Sequence, residues 1–102
     1  MKVHQNILKY ISLEGRVAVV SGAAPGLGLG LVKKMAEAGA NIALLYIRFE
    51  NGVKAQKEIE AIDVKAIFIK SDVRSLKDCI NDVIEVIKAF RRIDILHNFT
   101  QQ

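Results

Sequence analysis

The stretch that decides the fold runs from Val17 to Ala40 and reads VAVVSGAAPGLGLGLVKKMAEAGA. It opens with a short apolar run, Val17–Val20, of the kind found in strands that are buried on both faces of a parallel sheet. A glycine-rich turn follows, and Gly39 then ends a helical repeat in the position of a C-terminal glycine cap. The repeat consists of Leu27, Leu31, Val32, Met35 and Ala38. This part of the chain therefore predicts a strand, a glycine turn and a helix in succession.

The rest of the chain continues this alternation. Three further apolar runs predict strands at Ile42–Ile47, Lys65–Lys70 and Ile93–Leu96. A helix marked by Val53, Ile59 and Ile62 is predicted to begin near Asn51. The capping-box sequence Ser75-Leu-Lys-Asp78 opens a longer helix over residues 75–90. The apolar stripe of this longer helix consists of Leu76, Ile80, Val83, Ile84 and Ile87.

The connections between the strands are long enough to hold helices, which predicts a parallel sheet with right-handed crossovers. The sequence therefore predicts a three-layer α/β fold with a parallel four-stranded sheet of order 3-2-1-4. We interpret residues 1–102 as one domain. In such a sheet, ligands bind at the carboxyl ends of the strands where the strand order reverses, here between the first and fourth strands.

Composition and charge narrow the possible partners. The net charge is +4, but the lysines fall on the polar faces of predicted helices, which favours a solvated surface over a nucleic-acid site. No apolar run is long enough to cross a membrane. Cys79 is the only cysteine, which fits a reducing compartment such as the cytoplasm. The basic residues 1–12 allow a mitochondrial presequence, but they lack arginine and a small-residue cleavage site, so we favour a cytoplasmic protein.

The glycine turn has two readings, a phosphate cradle or a turn without a ligand. A strand that feeds a glycine loop and then a helix directs backbone N–H groups and the positive end of the helix dipole at one point. This position favours nucleotide binding. The spacing is G-x-x-x-G-x-G, at Gly22, Gly26 and Gly28, and no Gly-Lys-Ser/Thr of a Walker A loop follows.

Several segments resemble the short-chain dehydrogenases/reductases. LEGRVAVVSG at 13–22, followed by Gly26-Leu27-Gly28, is similar to the opening of that family. Asp72-Val73 resembles the family's Asp-Val pair, whose aspartate meets the adenine ring, and Ile93–Leu96 before Asn98 resembles the stretch leading to Asn-Asn-Ala-Gly. Tyr46 adds a similarity to the fungal sorbose and mannitol reductases. The resemblance implies a Rossmann-like fold and a dinucleotide cofactor.

The chain also departs from the family pattern. Pro25 removes an N–H donor from the glycine loop, and Phe99, Thr100 and Gln101 replace small residues after the fourth strand. The family's catalytic serine and Tyr-x-x-x-Lys pair would lie beyond residue 102, and no Tyr-x-x-x-Lys occurs here. The resemblance therefore implies a truncated, cofactor-binding half without catalytic residues.

The end of the second strand indicates which cofactor is preferred. An NAD site of this kind usually places an acid there, whereas this chain has Tyr46 and Ile47, followed by Arg48, which could pair with a 2′-phosphate. We therefore favour NADP over NAD. No metal site is predicted. The predicted cofactor-binding residues are Ser21, Gly22, Gly26, Leu27, Gly28, Arg48, Asp72, Val73 and Asn98.

Three functions remain open from the sequence. They are an oxidoreductase-like fragment that binds NADP(H), a non-enzymatic NADP(H)-binding module, and a vestigial product of a truncated gene. A methyltransferase is disfavoured because it also needs an acid after the second strand. The fourth strand is predicted to be an exposed apolar edge, and such edges pair with other chains, so we expect self-association through it.

Overall fold

The structure is a computed structural model, and it describes residues 12–22, 27–46, 48–72 and 75–98. The elements within these ranges are β1 (Val17–Ser21), α1 (Leu27–Glu37), β2 (Asn41–Tyr46), α2 (Phe49–Glu60), β3 (Ala66–Lys70), α3 (Leu76–Phe90) and β4 (Ile95–Asn98). The strands pair in parallel in the order β3-β2-β1-β4. The predicted fold class and strand order are confirmed.

Most element boundaries differ by one or two residues from those predicted, and the differences are largest in α2 and β4. Helix α2 begins at Phe49, because Arg48 has the extended backbone of an N-cap residue. Strand β4 begins at Ile95, two residues later than predicted. The preceding Asp94 is fixed by its own bonds, since its carboxylate accepts from the Val17 N–H at 2.9 Å and from the Arg92 guanidinium. The segment before β4 is therefore held by a side chain at the amino end of the sheet.

One face of the sheet is covered by α1 and α2. Strand residues that alternate along β1, β2 and β3 point to this face, as the period of two in a pleated strand requires. They pack against buried residues of both helices. The buried cluster consists of Ala18, Val20, Val32, Ala36, Ala40, Ile42, Leu44, Ala55, Ile59 and Ala66. This cluster is the larger of the two cores.

The end of α1 shows why glycine is needed there. Gly39 has a φ of +106°, and a Cβ built on it would lie 2.9 Å from Glu14 Cα. Both the backbone conformation and the close approach of another segment exclude a side chain. The predicted glycine stop is confirmed.

The other face of the sheet is covered by α3, which contributes Val86 to a smaller buried cluster. That cluster consists of Val17, Val19, Ala43, Leu45 and Val86. The apolar stripe predicted for α3 is largely exposed. Its exposed fractions are 76% for Leu76, 56% for Ile80, 52% for Val83, 46% for Ile84 and 43% for Ile87. The helix turns Asp82 and Val86 inward, and Cys79 beside them is half-buried.

Candidate functional site

The glycine turn begins where β1 ends. Ser21 is buried, and Gly22 follows with a φ of +69°, a left-handed conformation that glycine adopts without strain. The Gly22 N–H donates to the Leu45 carbonyl of β2 at 2.9 Å, which fixes the chain as it leaves the sheet. Helix α1 begins at Leu27, so its amino end lies at the same edge of the sheet. The backbone therefore changes direction at the point where a dinucleotide phosphate would approach a helix N-terminus.

The end of β3 brings a carboxylate to this edge. The Ser71 N–H donates to the Tyr46 carbonyl at 3.0 Å, so the ends of β2 and β3 are level with each other. Asp72 comes next and is half-buried. Its N–H donates to the Asp78 carboxylate at 3.0 Å, and its carbonyl accepts from the Ser75 N–H at 2.9 Å. The backbone of Asp72 is therefore held by the first turn of α3.

Arg48 supplies positive charge beside the same edge. It follows β2 after one residue, and it is exposed. Its backbone is extended, with φ −96° and ψ 114°, and its side chain makes no capping hydrogen bond to α2. A guanidinium in this position is available to a phosphate group that approaches the ends of the strands.

The predicted site residues that the structure describes meet at one edge. Asn98 ends β4 and is paired in register with Ser21 of β1, next to the Gly22 turn. Arg48 and Asp72 follow the adjacent strands β2 and β3. Leu27 and Gly28 are described only as the first residues of α1, while Gly26, Val73 and the departures at Pro25, Phe99, Thr100 and Gln101 lie outside the described residues.

A buried polar pair beside the site was not predicted from the sequence. The Ser71 hydroxyl donates to the Asp82 carboxylate, and Asp82 is 2% exposed. Burial raises the pKa of Asp82, the Ser71 hydrogen bond opposes that rise, and nearby Asp78 adds to it. The signal in the sequence was an acid aligned with Cys79 and Val86 on the helix. It went unrecognised because the apolar stripe lies on another face of the helix.

One cavity lies beside this edge of the sheet, and a larger depression lies away from it. The cavity, of about 270 Å³, lies between α3, β1 and β4, with Ser21 and Asp82 among mainly apolar residues that include Val83 and Leu96. A larger depression of about 690 Å³ lies at the opposite edge, beside Gly39. The larger depression therefore does not contain the predicted site.

Within residues 12–22, 27–46, 48–72 and 75–98, no three His, Cys, Asp or Glu side chains are grouped as metal ligands would be. His97 lies exposed in β4. In the same ranges, none of the helices has the length and apolar character needed to cross a membrane.

Comparisons with known proteins agree with this geometry. A family model described as short chain dehydrogenase matches residues 16–100. An uncharacterized oxidoreductase of Schizosaccharomyces pombe is 42% identical over 93 residues, which are 90% of this chain and 35% of that protein. The sorbose reductase of Candida albicans is 36% identical over 88% of this chain and 32% of its own length. A Yarrowia lipolytica protein named "Probable NADP-dependent mannitol dehydrogenase" is 31% identical over 92% of this chain and 34% of its own length.

Solved structures of dehydrogenases are also similar to this chain in fold and sequence. A short chain dehydrogenase of Mycobacterium thermoresistibile has a TM-score of 0.84 and 32% identity, covering 89% of this chain and 35% of that one. NAD⁺-bound xylitol dehydrogenase has a TM-score of 0.81 and 34% identity, covering 84% of this chain and 33% of that one. The chain thus spans about a third of the length of the relatives that it matches.

Proposed function

The chain belongs to the short-chain dehydrogenase family, and we propose that it binds NADP(H) at the carboxyl edge of its sheet. The observation that carries the proposal is the meeting of four features at one edge: the Gly22 turn, the amino end of α1, Arg48 and Asp72. The helix end and the turn suit the pyrophosphate, and Asp72 suits the adenine. Ser21, Gly26, Leu27, Gly28, Val73 and Asn98 complete the proposed set.

Our preference for NADP rests on Arg48. The end of β2 offers Tyr46 instead of an acid, and Arg48 presents an exposed guanidinium close by. A cation there suits a 2′-phosphate, whereas a carboxylate would suit the two free ribose hydroxyls of NAD. Among the relatives, one is named for NADP and two solved structures contain NAD, so both cofactors occur in related proteins.

These 102 residues are proposed to bind the cofactor without reducing a carbonyl themselves. Carbonyl reduction by hydride transfer needs a positioned proton donor, and the sequence contains no Tyr-x-x-x-Lys. We favour an oxidoreductase-like fragment that binds NADP(H) in the cytoplasm, with a non-enzymatic NADP(H)-binding module as the alternative. We also propose that the chain associates with itself on the side of β4, where Leu96 is 75% exposed.

Calorimetric titration of the purified chain with NADPH and NADH tests the binding proposal. We expect tighter binding of NADPH. Arg48→Ala should weaken NADPH binding roughly tenfold, as expected for losing a hydrogen bond to a charged group, and should leave NADH binding unchanged. Lys54→Ala removes a similar exposed charge from α2 and is the matched control. Tighter NADH binding, or equal losses for both cofactors in Arg48→Ala, would contradict the NADP assignment.

Spectrophotometric assay of NADPH oxidation tests the absence of turnover. We expect no oxidation above background with a panel of ketoses and diketones, because these 102 residues contain no Tyr-x-x-x-Lys pair to supply the proton. Turnover that disappears when the chain carries Gly22→Trp, and that persists in Lys54→Ala, would show that the chain is an enzyme.

A further inference from the structure

Two carboxylates of α3 hold the segment that leaves β3. Asp78 accepts from the Asp72 N–H at 3.0 Å, and Asp82, one turn further along α3, accepts from the Ser71 hydroxyl. Ser71 and Asp72 are consecutive in the chain, and Asp72 is the residue that we propose meets the adenine. Helix α3 is therefore bonded both to the proposed adenine residue and to the residue before it.

The bond from Asp72 takes the place of a bond within the helix. In a capping box, the acid three residues after the N-cap accepts from the N-cap N–H. Ser75 accepts from the Asp78 N–H at 3.2 Å, but the Ser75 N–H donates to the Asp72 carbonyl at 2.9 Å. The Asp78 carboxylate accepts from the Asp72 N–H instead. The capping-box sequence therefore ties α3 to the residue at the site.

These bonds fix the direction in which the Asp72 side chain leaves the backbone. The N–H and the carbonyl of Asp72 both have partners in the first turn of α3, so the planar peptide groups on both sides of its Cα are held. Ser71 is buried, with its N–H bonded to the Tyr46 carbonyl and its hydroxyl bonded to Asp82. A side chain that is oriented before the ligand arrives binds it at a smaller cost in entropy.

The stability of the fold does not account for this arrangement. Asp78 and Asp82 are four residues apart, and like charges at that spacing destabilise a helix. Asp82 is 2% exposed, and burial raises its pKa against the opposing effect of the Ser71 hydrogen bond. An apolar residue would fill this buried position without the cost of removing a carboxyl group from water. The two acids therefore lower stability at the point where they hold the proposed site.

We infer that Asp78 and Asp82 are positioning residues for the adenine end of the dinucleotide. Asp78 holds the backbone of Asp72 and Asp82 holds Ser71, so that the Asp72 side chain is presented to the adenine in one orientation. Both acids act through residues 71 and 72 and not by touching the ligand. The inference rests on the proposed binding of NADP(H).

Calorimetric titration with NADPH and with 2′,5′-ADP, which contains only the adenine end of the cofactor, tests the role of Asp78. Asp78→Ala should weaken the binding of both ligands by the same factor, roughly tenfold. Asp78→Asn keeps an oxygen that accepts from the Asp72 N–H, so it should restore most of the lost affinity. Glu85→Ala removes another acid from α3, one that lies beside Lys88, and is the matched control. Equal losses in Asp78→Asn and Asp78→Ala would overturn the inference, because the charge and not the hydrogen bond would then be responsible.

Removing the buried pair separates positioning from stability. The double variant Ser71→Ala/Asp82→Leu replaces both partners with apolar side chains, so neither is left buried and unpaired. Its melting temperature should equal or exceed that of wild type. Its affinity for NADPH should nevertheless fall, by roughly threefold or more. A role in stability alone would move the melting temperature and the affinity in the same direction.

Hydrogen exchange at the Asp72 amide, followed by NMR, measures the hold on the backbone without a ligand. Exchange should be faster in Asp78→Ala than in wild type, and Asp78→Asn should restore the slower rate. An unchanged rate in Asp78→Ala would overturn the inference, as would an unchanged NADPH affinity in Asp78→Ala and in the double variant, and both results would leave the proposed function intact. A wild type that binds neither NADPH nor 2′,5′-ADP would overturn the proposed function, and the positioning role with it.

Discussion

The two faces of the sheet differ in how completely they are packed. Under α1 and α2, fully buried apolar residues such as Ile42 and Ile59 fill the space between helix and strand. Under α3, the inward side of the helix includes the carboxyl group of Asp82, while the isoleucines of the same helix are exposed. The hydrophobic effect thus stabilises the first face within the chain. On the second face, the apolar stripe of α3 stays largely exposed in the described residues.

The helix ends show the same difference. Helix α1 ends before Gly39, which adopts a positive φ at little cost. Helix α3 ends with Arg91 at a φ of +66°, in the left-handed conformation that an L-residue with a Cβ adopts only at a cost. The end of α3 therefore carries backbone strain where the end of α1 has a glycine, although the first face has a residue of the same kind in Asp63, whose φ is +74° after α2.

The difference in packing between the two faces is tested most directly by truncating one isoleucine on each face. Ile59→Ala, on the first face, should lower the free energy of unfolding by about 3 kcal/mol, because Ile59 is fully buried. Ile84→Ala, on the exposed stripe of α3, should change it by less than about 0.5 kcal/mol. Urea denaturation at concentrations below those of association measures both. Equal losses of unfolding free energy in the two variants would show that the stripe of α3 is packed as tightly as the core around Ile59.

The strain at the end of α3 gives a second test. Arg91→Gly should raise the free energy of unfolding by about 1 kcal/mol, because glycine adopts the left-handed conformation without steric conflict. Ala89→Gly is the matched control in the last turn of the same helix, and it should lower stability by about 1 kcal/mol. Thermal melting compares the two. A loss of stability in both variants would show that Arg91 contributes contacts that outweigh its conformation.

The buried carboxyl group gives a third, smaller effect that depends on pH. The pKa of Asp82 is raised by burial, so the folded chain holds the proton more tightly than the unfolded chain. Its contribution is present below the unfolded pKa of about 4 and is lost as pH rises through the folded pKa. Asp82→Asn keeps an acceptor for Ser71 and should remove this loss, so the variant should be more stable than wild type at neutral pH. A melting temperature of Asp82→Asn below that of wild type at pH 7 would contradict this prediction.

Asp94 provides a control of opposite sign at the amino end of the sheet. The hydrogen bond from Arg92, supported by the Val17 N–H, holds the pKa of Asp94 at about 2. Its contribution is present above a pH of about 4 and is lost as pH falls toward 2. Asp94→Asn should therefore reduce the loss of stability as pH falls from about 4 toward 2. Asp82→Asn should instead reduce the loss of stability as pH rises above about 4.

Much of the fold and of the candidate site could be predicted from the sequence, because these features depend on local patterns. The buried strands, the Gly39 stop and the order 3-2-1-4 follow from periodicity, turn chemistry and crossover handedness. The placement of Gly22 and Asp72 at one edge follows from that topology.

The rotation of α3 could not be predicted in the same way. Periodicity identifies an apolar stripe but does not say which side of a helix meets the sheet. Here the rotation is consistent with polar contacts at the start of the helix, where Ser75 accepts from the Asp78 N–H, Asp78 accepts from the Asp72 N–H, and Ser71 donates to Asp82. These pairings between a strand end and a helix exist only in three dimensions, so the inward side of α3 and the later start of β4 were missed.

The bond between Asp78 and the backbone of Asp72 also connects two equilibria. It joins α3, which lies beside the β4 edge on which we propose that two chains associate, to the residue that we propose meets the adenine. If association raises the affinity for dinucleotide through this connection, bound dinucleotide must strengthen association by the same factor, because the cycle of binding steps closes. The concentration of the chain would then set how much cofactor it holds, and cofactor supply would set how much of the chain is paired.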